Sequence, residues 1–195
     1  MSERVAASER ETRERLVLAG IEDIEKHGFQ NLSMRRVAAS CGFSCAAPYK
    51  HYKNKNEFIL AIIQYINQKW KNITDEILMR KDERSTRELL CEISISYVRF
   101  LVEHPNFRSI IFIRDDKMNK EQIKEKNSIS EASRVLIHEY CKEVNMSRED
   151  EVRKTFIVRS LIYGAALMMD CYEMEQSEEC YAMVLRSIQR EFDIE

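Results

Sequence analysis

The chain has 195 residues, 44% of them hydrophobic, so it can bury a proper core without disulfide or metal staples, as one domain or as a small domain joined to a larger one. Four Gly and two Pro interrupt a sequence rich in Glu, Lys, Arg, Leu, Ile and Met, and this predicts an all-α fold of long helices with short connections. The net charge of −2 argues by itself against a nucleic-acid partner, no run of about 18 apolar residues suits a membrane span, and the six cysteines lack any zinc-type or Cys-x-x-Cys spacing. With no secretory signal pattern at the N-terminus, those thiols are expected to be reduced, in a cytoplasmic protein.

A first helix is predicted from about Ser8 to His27, with Leu16, Ala19, Gly20 and Ile24 on one stripe and Gly28 just past its end. Ser33 can cap a short helix through about Ser40 that turns Val37 and Ala38 inward, and Gly42 breaks it. Ser44 can cap a second short helix to about His51. Pro48, fourth after that cap, removes only the first intrahelical bond. Two short helices separated by Cys41-Gly42-Phe43 form a helix-turn-helix pattern, in which glycine permits the sharp turn.

Asn54 can cap a long helix from Lys55 to about Met79, followed by the charged connector Arg80 to Arg84. Further helices are expected at about 85–103, 106–113, 120–145, 149–173 and 177–192, which makes about nine in all. His104-Pro105 separates the fifth from the sixth, because a residue before proline is pushed out of the α region. The expected division is a DNA-binding head over 1–54 and a larger body over 55–195, with helix 55–79 connecting the two.

Charge is segregated along this plan. Between Ser33 and Asn56 stand Arg35, Arg36, Lys50, Lys53 and Lys55 and no acid, a formal +5 that leaves −7 on the remainder. A compact positive segment on an acidic body suits a local phosphate-binding surface, although such a cluster also occurs on ordinary solvated faces.

The residues Leu32-Ser33-Met34-Arg35-Arg36-Val37-Ala38, Cys41-Gly42-Phe43-Ser44, Tyr49-Lys50-His51-Tyr52 and Lys53-Asn54-Lys55 resemble the TetR/AcrR family of transcriptional regulators. The match is close from Leu16 to about Leu60, and Tyr97-Val98-Arg99-Phe100 with Glu103-His104-Pro105 is similar to a segment of some members' regulatory domains. The resemblance implies a homodimer with two DNA-binding heads, a helical effector-binding domain, and repression of a palindromic operator that a small molecule relieves. Asp23 departs from the pattern, standing where the family usually has an apolar residue. Either it pairs with a nearby basic side chain or the first helix is rotated there.

On this resemblance the helix that starts at Ser44 enters the major groove, where Cys45, Ala46, Ala47 and Lys50 meet base edges. Arg35 matches a position that some relatives use for guanine, and its planar fork suits O6 and N7. Ser33, Ser44, Tyr49, His51 and Lys55 resemble the family's phosphate-clamp positions, with capping as the ordinary structural role of the two serines. A thiol at Cys45, near a helix N-terminus, is open to a lowered pKa and to oxidation that would block docking; a small groove-facing residue is the plainer reading.

For the regulatory body, Trp70, Tyr97, Phe100, Phe107, Phe112, Met118, Tyr140, Met168 and Met169 are candidate pocket residues, predicting a small lipophilic effector; aromatic and Met residues at helical spacing are otherwise core. Two stripes are candidates for the dimer interface, Phe156, Ser160, Tyr163, Gly164 and Leu167 on one helix and Tyr181, Val184, Leu185, Ile188 and Phe192 on the other. No Glu-x-x-His pair, His-Glu-x-x-His, phosphate-cradling Gly loop or nucleophile elbow is present, so neither an enzyme nor a resident cofactor is expected. An architectural or protein-recruiting DNA-binding protein of the same fold, without an effector, is the alternative.

Overall fold

The computed structural model describes residues 2–193. Among them are ten α-helices and no strand: α1 (Ser2–His27), α2 (Met34–Ser40), α3 (Ala47–His51), α4 (Lys55–Leu78), α5 (Thr86–Glu103), α6 (Pro105–Ile111), α7 (Lys120–Ser128), α8 (Glu131–Glu143), α9 (Arg148–Asp170) and α10 (Glu178–Glu191). The tenth arises because the stretch expected as one helix over 120–145 is two. Asn127, Ser128 and Ser130 stand at the break, and the Ser128 hydroxyl donates to the Glu125 carbonyl, offering the backbone a local alternative to helix continuation.

Most helix starts carry the caps their sequences announce. Ser33 accepts from the Arg36 N–H, Asn54 Oδ1 from the Glu57 N–H, Ser147 from the Asp150 N–H, and Ser85 with Glu88 forms a reciprocal capping box. Ser44 does not follow. Helix α3 begins at Ala47, with Pro48 in its first turn and no side-chain cap, and Cys45 and Ala46 lie in the preceding turn. Proline's missing N–H is tolerated in the first turn, so the helix starts later than expected.

The described chain forms two compact units, the first comprising 1–69 and 106–128, the second 70–105 and 129–195. The division therefore falls inside α4, after Lys69, rather than at residue 54. Residues of α7 join the first unit because Gln122 Nε2 donates to the Asn56 carbonyl and Asn67 Nδ2 donates to the Glu125 carbonyl. The first unit's core is Leu16, Val17, Ile21 and Ile24 of α1, Val37 and Ala38 of α2, and Phe58, Ile59, Ile62, Ile63 and Ile66 of α4. Gly20 lets α1 and α4 approach: a Cβ there would stand 2.7 Å from Phe58 Cζ and 2.8 Å from Ile62 Cδ1.

In the second unit α5 packs against α8, α9 and α10, burying Leu90, Ile93, Phe100 and Leu101 against Leu136, Val158, Ile162, Met169 and Ile188. The stripe Tyr181, Val184, Ile188 and Phe192 is part of this core, and Leu185 is half-buried. That corrects the expectation that this stripe meets a partner: these side chains are used up inside the protomer. Arg87 Nε and Nη2 donate to the carbonyls of Phe192 and Gln189 at 3.1 Å each, satisfying the end of α10 with a cation, as a helix C-terminus favours.

Candidate nucleic-acid interface and internal cavity

The head is fastened by the residue that departs from the family pattern. The Asp23 carboxylate, on α1, accepts from Arg36 Nε at 2.7 Å, from Arg36 Nη2 at 2.9 Å and from the Ser33 N–H at 2.9 Å, while Arg36 Nη2 also donates to the Asn31 carbonyl. Burial pushes this carboxyl up, but the bonds from Arg36 and Ser33 and the charges of Arg36 and His27 outweigh it and hold its pKa below the usual value. Asp23 thus pairs with a basic side chain, and α1 keeps its register. Arg36 is neutralised within the fold rather than presented to a partner.

The turn between α2 and α3 is fixed from α1 as well. Arg15 lies over the Phe43 ring at 4.7 Å and donates from Nη2 to the Cys41 carbonyl. Gly42 takes φ of +72°, which an L side chain adopts at a cost, and the Phe43 N–H closes the turn onto the Ala38 carbonyl at 2.9 Å. Tyr52 is buried, its ring tilted against Phe58 with centroids 4.9 Å apart and Arg13 5.6 Å from its own, so it packs the head and leaves its neighbours to face outward.

What faces outward is consistent in chemistry. Arg35, Ser44, Cys45, Ala46, Tyr49, Lys50 and Lys53 are exposed, Tyr49 to 54%, and the described residues offer no ion-pair partner to Arg35, Lys50 or Lys53. Ala47, His51, Ser33 and Lys55 are half-buried. Lys55 Nζ donates to the Gln30 carbonyl at 2.7 Å, and Ser33 is engaged as a cap, so these two have structural roles whatever else they touch.

The second unit forms a partly open cavity of about 80 Å³. Leu90, Ser94 and Tyr97 of α5 face it at helical spacing, as do Ser133, Arg134 and Ile137 of α8 and Thr155, Val158, Arg159, Ile162 and Tyr163 of α9, with Trp70, Ile129, Ser130 and Phe192 completing the wall. Trp70 rests on Tyr97 and Phe100 with ring centroids 4.7 and 5.3 Å away, and its Nε1–H is buried without an acceptor among the described residues. Burial drives the Tyr97 phenol far above its ordinary pKa, so it stays neutral.

Of the nine aromatic and methionine pocket candidates, Trp70 and Tyr97 line this cavity. Phe100, Tyr140 and Met169 are buried core, Tyr140 donating its hydroxyl to the Phe192 carbonyl. Met168 is exposed. Phe107, Phe112 and Met118 belong to the first unit. Choosing by residue type missed the hydroxyls and arginines; the signal was the i, i+3/i+4, i+7 spacing of Ser130, Ser133, Arg134 and Ile137, and again of Thr155, Val158, Arg159 and Ile162. On α9, Phe156 and Leu167 are 70% and 61% exposed, Ser160 is exposed, Gly164 has open space beside it, and Tyr163 turns to the cavity instead.

Residues 16–62 match the model of the bacterial regulatory proteins of the tetR family. No curated protein matches the chain. Among solved structures, a TetR-family transcription regulator from Marinobacter aquaeolei VT8 is 18% identical over 98% of both chains, with a TM-score of 0.76. The transcriptional regulator FadR from Bacillus subtilis, in complex with stearoyl-CoA, is 14% identical over 91% of this chain and 96% of its own, at a TM-score of 0.66. The fatty acid degradation regulator FadR from Bacillus halodurans is 13% identical over 92% and 93%, at 0.65. Residues 16–62 are therefore similar to the N-terminal segment of the tetR family of bacterial regulatory proteins, and the chain as a whole has the fold of the TetR-family transcription regulator from Marinobacter aquaeolei VT8.

Proposed function

We propose that the protein is an effector-responsive transcriptional repressor that binds a palindromic operator as a homodimer in the cytoplasm. The observation that carries this is the outward surface of α2 and α3: Arg35, Lys50 and Lys53 without acidic partners, around the exposed Tyr49, within a Ser33–Asn56 segment that contains no acid. Arg35 and Lys50 read base edges, Ala46 and Ala47 meet thymine methyls beside Cys45, and Ser33, Ser44, Tyr49, His51 and Lys55 hold phosphates. Tyr49 is the best placed of these, being exposed with a hydroxyl that has no protein partner among the described residues.

The exposed α9 stripe of Phe156, Ser160, Gly164 and Leu167 supports dimerisation, since an apolar helix face left in water by the protomer gains by pairing. Two heads then sit about one DNA turn apart, roughly 34–36 Å. The cavity in the second unit supports an effector, and the stearoyl-CoA held by the Bacillus subtilis FadR is a precedent within this fold. A ligand that prefers the conformer with mismatched heads lowers operator affinity by its differential binding.

Selection of fragmented genomic DNA by the purified protein tests the reading. A few enriched promoter sites carrying an inverted repeat are expected. Many dispersed sites would mark an architectural protein instead, and no enrichment would refute DNA binding.

A further inference from the structure

The cavity wall has a chemistry that selects among effectors. Its floor is apolar, with Trp70, Tyr97, Val158, Ile162 and Phe192. Arg134 and Arg159 both line it from solvent-exposed positions, no Asp or Glu does, and among the described residues neither guanidinium has an ion-pair partner. Trp70, which lines the wall, has a buried Nε1–H without an acceptor among the described residues. A buried donor without a protein acceptor and two exposed arginines at the edge, with no acid to compete, favour a guest that brings oxygen acceptors and negative charge. Size narrows the guest further: about 80 Å³ is roughly half of the ~150 Å³ that holds benzene, so most of a long acyl chain would project from this partly open cavity, and a single ring needs a modest adjustment.

We propose that the effector is a compact organic carboxylate, a short chain or a single ring, with its apolar body against Trp70 and Tyr97 and its carboxylate toward Arg159 and Arg134. This rests on the second unit being the effector-binding half. Arg159 is the better placed of the two arginines, since its charge is felt at the Tyr97 phenol inside the cavity.

Trp70 is the chain's single tryptophan, so its emission reports this cavity and no other place. Benzoate, its uncharged isostere benzamide, hexanoate and stearoyl-CoA are titrated against the full-length protein by fluorescence and by calorimetry. Saturable binding of benzoate or hexanoate, with benzamide at least about tenfold weaker, is expected. Arg159→Met weakens the carboxylate about tenfold and leaves benzamide unchanged. Arg134→Met, read the same way with the fold checked by circular dichroism, is the second variant. Equal binding of benzoate and benzamide, indifference to both arginine changes, absence of any saturable carboxylate signal, or binding of stearoyl-CoA alone would each overturn the proposal. Operator affinity is followed in parallel. Release by an uncharged molecule sinks the carboxylate while sparing the regulator, whereas carboxylate binding without any change in DNA affinity supports the site and sinks the coupling.

Discussion

Replacing Asp23 by Ala removes the acceptor for three bonds, two from Arg36 and one from the Ser33 N–H, and leaves an amide and a guanidinium to water. Hydrogen bonds to a charged group contribute about 1.5–3 kcal/mol each when buried. The Asp23 side chain is 8% exposed but that of Arg36 is 46%, so screening discounts the pair and a total near 2–3 kcal/mol is expected. For a chain of this size that lowers the melting temperature of the unit containing α1 to α4 by about 5–10 °C. Arg36→Ala costs less, because its guanidinium is largely exposed, and the double-mutant cycle should return a coupling clearly different from zero. The pH dependence has a definite sign. Asp23's folded pKa lies below its unfolded value near 3.8, so the unfolded state binds the proton first. The stability it contributes is present above pH 3.8 and is lost as pH falls through the folded pKa, and Asp23→Asn removes that part of the acid transition. Thermal melts of the five proteins across this range decide the matter; an Asp23→Ala melt within about 1 °C of the parent, or a coupling near zero, would refute the clamp.

Gly20→Ala places a methyl within 3 Å of Phe58 and Ile62, both fully buried, and overpacking there should destabilise by about 1–3 kcal/mol in chemical denaturation. Lys55→Ala should weaken binding to every duplex alike and lower the slope of log K against log salt by about one. If the proposed dimer forms through the exposed face of α9, Phe156→Arg should shift it to monomer by sedimentation while leaving the chain's own melt unchanged, because that side chain is 70% exposed.

The head was legible because each of its features is local. Gly28 and Gly42 mark turns where φ is positive, Ser33 and Asn54 announce caps, and the stripe of α1 is regular. Asp23 was legible as an anomaly, but its partner lies thirteen residues on, and which basic residue meets it depends on how α2 sits against α1. The start of α3 misled because serine's capping tendency was weighed above proline's demand for a first-turn position. In the body, periodicity identified the helices but not which face meets which neighbour. Tyr181 and Val184 fit a partner's surface and a protomer's core equally well as a pattern, and only the packing of α5 against α10 decides. The cavity was harder still, since a void is what side chains fail to fill, and Ser133 or Arg159 looks in sequence like any solvated position.

Arg35 and Lys50, exposed on the surface of α2 and α3, are proposed to recognise DNA. The direct test is a salt-dependent titration of a genomically selected duplex with the parent protein, Arg35→Ala and Lys50→Ala. Nanomolar or tighter specific binding is predicted, with each substitution costing about 1–3 kcal/mol on the selected site and much less on unrelated duplex. Equal affinity of all three proteins for selected and unrelated DNA would contradict it.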